Sequence, residues 1–117
     1  AATTALDALW AGLPLLTLQG DDYFSRVASS LLTAIGLEEM ICVSVEDYIE
    51  RAISLAQHPK ELRTICGRLR RNRNSKALFD RPRFIKHLEW AYSKMWQMHE
   101  ASEGLRGFDV PAHPLSR

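Results

Sequence analysis

The chain has 117 residues, enough for one domain with a real core, and its 46% hydrophobic and 25% charged residues are those of an ordinary globular protein. A net charge of +1 gives no overall preference for acidic partners. Cys42 and Cys66 lack metal-ligand spacing and read as buried thiols of a reducing compartment, and no apolar run approaches the ~20 residues of a membrane span, so a cytoplasmic location is expected.

In chain order, Thr4 followed by Asp7 is a capping-box pattern, which predicts a helix from Thr3 or Thr4 with Leu6, Leu9 and Trp10 on one face. Gly12 stands where a left-handed cap ends it, and Pro14 prevents a restart. Leu15-Leu16-Thr17-Leu18 then reads as a strand buried on both faces of a parallel sheet. Two threonines at a helix N-terminus offer free amides, hydroxyls and the positive end of a dipole, which suits a phosphate. Asp7, one turn in, repels phosphate but can accept hydrogen bonds from a sugar diol. The same residues also read as a cap and nothing more, and the local pattern does not separate the two.

Tyr23 to Ile35 carries Phe24, Val27, Ala28, Leu31, Leu32 and Ile35 at helical spacing and is closed by Gly36. Met40 to Val43 reads as a second strand, and Ser44 with Asp47 opens a helix to Gln57 whose buried face is Tyr48, Ile49, Ala52, Ile53 and Ala56. Pro59 opens the next helix, to about Asn72, with Leu62, Ile65, Cys66 and Leu69 inward. Arg63, Arg68, Arg70, Arg71 and Arg73 on its other side read as a solvated face or, alternatively, as the surface of a helical protein- or nucleic-acid-interaction module. Leu78-Phe79 plugs a short loop onto the core, and Asp80 caps a last helix to about Glu100 with an apolar stripe of Phe84, Ile85, Leu88, Ala91, Tyr92, Met95 and Trp96. The pattern is α/β: two strands joined through a helix form a parallel βαβ unit, too thin for a whole sheet, with residues 1–100 as a partial domain and 101–117 as a flexible tail. The thin sheet, the missing initiator methionine and an opening almost on a helix cap together read as a piece of a longer protein. An open edge on the strand at Leu15 predicts self-association of such a piece.

Three segments carry a specific likeness: Thr3-Thr4-Ala5-Leu6-Asp7-Ala8-Leu9-Trp10-Ala11-Gly12-Leu13-Pro14, then Ser25-Arg26-Val27-Ala28-Ser29-Ser30-Leu31, then Leu78-Phe79-Asp80 leading into Tyr92-Ser93-Lys94-Met95-Trp96. Together they resemble the C-terminal end of the O-linked N-acetylglucosamine transferase family, in its bacterial and plant-like members with tetratricopeptide repeats. The likeness runs from about Thr3 to His99. It implies the latter part of the Rossmann-like nucleotide-binding domain of a GT-B glycosyltransferase, an inverting enzyme that moves N-acetylglucosamine from UDP-GlcNAc to serine or threonine of proteins. By resemblance Thr3 and Thr4 hold the UDP diphosphate and Asp7 the ribose. No catalytic residue, metal or cofactor beyond the donor is implied for this stretch, which alone is expected to be inactive. The family has Gly-His before the threonines where Ala1-Ala2 stand here.

Overall fold

The computed structural model describes residues 2–116, and the chain divides into two units, Ala1–Phe79 and Asp80–Arg117. The first unit contains α1 (Ala2–Ala11), β1 (Thr17–Leu18), α2 (Tyr23–Ile35), β2 (Ile41–Cys42), α3 (Val45–Gln57) and α4 (Pro59–Asn72). Several boundaries follow from single residues. The Asp22 carboxylate accepts the Ser25 N–H at 2.7 Å and starts α2, and Gly36, at φ +76°, stops it. Ser44 Oγ accepts the Asp47 N–H at 3.1 Å to start α3, and Pro59 fills the first turn of α4.

The strands pair in parallel, Thr17 opposite Ile41 and Leu18 opposite Cys42, which is the βαβ unit the sequence implies. Gln19 N–H extends the ladder to Cys42 O at 2.8 Å. Leu9, Leu32, Ile35, Leu37 and Leu69 are fully buried and, with Met40, Leu55 and Ile65, form the core. Leu78 and Phe79, in a 3-10 turn at Ala77–Phe79, pack on it as the plug expected of them. α2 and α4 are also tied by polar chemistry: Asn72 Nδ2 donates to Ile35 O at 2.8 Å, satisfying a carbonyl that the end of α2 leaves without a partner.

Several expectations need correction. Helix α1 begins at Ala2, so Thr4 lies inside its first turn and is not the residue before the helix; alanine, the strongest helix former, carries the helix past the threonines. β1 is limited to Thr17–Leu18 and is only partly covered, since parallel pairing lasts only as long as β2, and β2 is shortened by a 3-10 turn at Glu38–Met40. In α2, Phe24 is 85% exposed.

The third helix is rotated about its axis relative to its apolar pattern. Arg51, Ser54 and Leu55 are its covered flank, with Arg51 paired to Glu61 of α4 at 2.6 Å, while Ile49, Ala52, Ile53 and Ala56 are exposed. Tyr48, at the edge of that face, is also exposed. Periodicity shows which face would gain from cover, but not which neighbour is present to give it.

The second unit is α5 (Arg81–Glu100) and the segment after it. Asp80 caps α5 by accepting the Arg83 N–H at 3.0 Å, as its position implies. The apolar stripe Phe84, Ile85, Leu88, Tyr92, Met95 and Trp96 is exposed, against expectation. The shielded stripe is Arg83, His87, Trp90, Lys94 and Met98, at intervals of four and three. Its cover is the chain itself, running back along α5: Glu103 N–H bonds to Met98 O, the Phe108 ring lies 6.0 Å from that of Trp90, and the His113 ring meets His87 edge to face at 4.8 Å.

Candidate functional site

Helix α1 is held by its far side and its far end, which leaves its first turn open. Ala5 and Leu9 are buried, and the half-turn opposite them carries Thr3, Thr4 and Asp7, all exposed. The spacing of three and four residues sets these three side chains on one face, so the structure brings all three predicted residues together. The N–H groups of Ala2, Thr3 and Thr4 have no carbonyl four residues back within the helix and point out of its positive end. Ala1 lies outside the described residues, and Ala2 is the first residue of α1.

The rear of α1 is fixed more firmly than its sequence suggests. Gly12 adopts φ +89°, its N–H bonding to Leu9 O at 3.1 Å while Leu13 N–H bonds to Ala8 O at 2.9 Å. Trp10 meets Phe79 edge to face at 5.1 Å. Arg73, just past the end of α4, donates to Trp10 O and lies 5.0 Å from the Trp10 ring, so a cation sits at the negative end of α1. Arg68 pairs with Glu39. Two of the five arginines read as a solvated or partner-binding face therefore have structural work, while Arg63, Arg70 and Arg71 are exposed. The signal for Arg73 was an aromatic residue just before the glycine that closes α1.

Elsewhere in the unit, Cys42 is buried, and loss of water with the nearby Asp47 carboxylate pushes its thiol up from the usual range, while Arg51 opposes them. Among the described residues no cluster of three or more His, Cys, Asp or Glu could hold a metal ion, and no helix is long and apolar enough to cross a membrane.

The chain is similar to known proteins along most of its length. It is 42% identical over 97% of its residues to the probable UDP-N-acetylglucosamine–peptide N-acetylglucosaminyltransferase SEC of Arabidopsis thaliana, and spans 12% of that protein. It is 30% identical over 85% of its residues to the UDP-N-acetylglucosamine–peptide N-acetylglucosaminyltransferase of Caenorhabditis elegans, spanning 9% of it. Among solved structures, a lysine-to-methionine mutant of Thermobaculum terrenum O-GlcNAc transferase matches with a TM-score of 0.80 at 36% identity, over 89% of this chain and 20% of that one. The fold is thus the latter part of a Rossmann-like nucleotide-binding domain of the GT-B type, helix-rich with two parallel strands. The model of glycosyl transferase family 41 matches residues 1–88, and the chain belongs to that family.

Proposed function

We propose that this chain supplies the nucleotide-binding corner of an inverting glycosyltransferase that moves N-acetylglucosamine from UDP-GlcNAc to serine or threonine of proteins in the cytoplasm. The observation that carries the reading is the single exposed face of α1 on which Thr3, Thr4 and Asp7 converge at the positive end of the helix. Amides and hydroxyls of the first turn hold the diphosphate, and Asp7 accepts from the ribose hydroxyls. As the glycosidic bond breaks, negative charge grows on the diphosphate, and donors already aimed at it stabilise the leaving group without rearranging. The names of the relatives support the donor and the peptide acceptor. This stretch holds no catalytic residue and no metal or cofactor of its own, so it is inactive without the rest of the protein. An isolated copy self-associates along the outer edge of β1, which no strand covers among the described residues.

Calorimetric titration of UDP into the full-length protein tests the site. Each charge-assisted hydrogen bond removed costs about 1.5–3 kcal/mol, so Thr4→Val and Asp7→Ala should each weaken UDP by roughly 10- to 150-fold. Both side chains are exposed, so stability should hardly change. Unchanged UDP affinity in both variants would remove these side chains from the site.

A further inference from the structure

At the end of its return along α5, the C-terminal segment is gripped by three side chains that hold its main chain. Asp80 Oδ2 accepts the Ser116 N–H at 2.6 Å, Arg83 Nε donates to His113 O at 2.6 Å, and His87 Nε2 accepts the His113 N–H at 2.8 Å. The His87 and His113 rings meet edge to face at 4.8 Å, and His113 Nδ1 is 3.2 Å from Pro111 O, which can only accept. The first two grips are indifferent to pH near neutrality. The third is not. A histidine nitrogen accepts a hydrogen bond only in the neutral ring, here with the proton on Nδ1; in the imidazolium both nitrogens donate, and Nε2–H would meet the His113 N–H head on.

We propose that His87 is the proton-operated latch of a C-terminal clasp: uptake of a solvent proton at Nε2 breaks its bond to the His113 N–H and loosens residues 111–116 on α5, leaving the Asp80 and Arg83 bonds to hold them more weakly. The charged and titratable groups facing the ring are Arg83 and Asp80 on the helix side and His113 on the strap. Loss of water, then Arg83, then His113 hold His87 below its ordinary value of 6.5, with Asp80 pulling the other way. A depressed value in the closed clasp means that its contribution is complete above 6.5 and is lost as pH falls through the closed-state value. The latch is therefore shut at neutral pH and opens in mild acid.

Hydrogen exchange read by mass spectrometry on the full-length protein, with rates corrected for their intrinsic pH dependence, measures the opening of the C-terminal segment. Protection should fall as pH drops below the free histidine value, by up to about tenfold per pH unit, the limit for one linked proton. His87→Gln, whose amide oxygen accepts the same bond without titrating, should keep the protection and lose the pH dependence. His113→Gln keeps its main-chain N–H and should keep the pH dependence. A flat wild-type profile, a pH dependence that survives in His87→Gln, or one that disappears in His113→Gln would each overturn the latch.

Discussion

Replacing Gly36 by alanine tests how α2 is locked onto α4. At φ +76° an L-residue costs about 1–2 kcal/mol, offset in part by the roughly 0.4–1 kcal/mol that alanine gains through a stiffer unfolded chain. The added Cβ would also stand 3.0 Å from Asn72 Nδ2, the atom that donates to Ile35 O at 2.8 Å. Displacing that amide removes a further ~1 kcal/mol, for a total near 2 kcal/mol. Gly12→Ala is the internal control. Its φ is +89°, but its Cβ would meet Arg70 Nε at 3.4 Å, near the free end of a flexible side chain, so only the backbone cost of about 1 kcal/mol should appear. Because Gly36→Ala and Asn72→Ala disturb the same bond, the double variant should lose about 1 kcal/mol less than the sum of the singles. Urea unfolding followed by circular dichroism, at unchanged slope, gives all four values. Additivity within about 0.4 kcal/mol, together with equal costs at Gly36 and Gly12, would refute the reasoning.

Arg73→Ala should destabilise the protein by about 1–2 kcal/mol in the same assay, through loss of both the bond to Trp10 O and the ring contact. Arg73→Lys should recover little, because an ammonium lacks the planar fork that serves both at once. Cys42, buried and with its thiol pushed up, should react with iodoacetamide more slowly than half-buried Cys66 in the native protein, and mass spectrometry of the two peptides after brief exposure measures the ratio. Equal rates would mean that the β2 strand opens readily.

Where a local rule has one physical solution, the sequence was legible. Gly36, Ser44, Pro59 and Asp80 each start or stop a helix by satisfying or removing particular backbone groups, and the helices fall where those residues put them. Burial was less legible. The apolar faces of α3 and α5 are real in sequence, but Ile49, Ile53, Phe84 and Trp96 are exposed because cover depends on neighbours that the periodicity of one helix cannot name. The candidate site was readable because Thr3, Thr4 and Asp7 lie within a single helix, where spacing alone fixes a common face. The contacts of Asn72 and Arg73 were not legible because their partners, Ile35 O and Trp10 O, are 37 and 63 residues away.

The short parallel ladder has a consequence for how the chain tolerates insertion. Two residue pairs are too few to choose their own alignment, so the position of β2 is dictated by the hydrophobic plugs just before it, Leu37 at 0% and Met40 at 2% exposure, seated by the Met40 N–H bond to Leu37 O at 3.0 Å. That turn acts as a ruler. One extra residue between Met40 and Ile41 would leave both plugs in place and turn Cys42 outward and Ile41 inward, whereas one extra residue in the exposed bend after Gly20 would be absorbed without reaching the ladder.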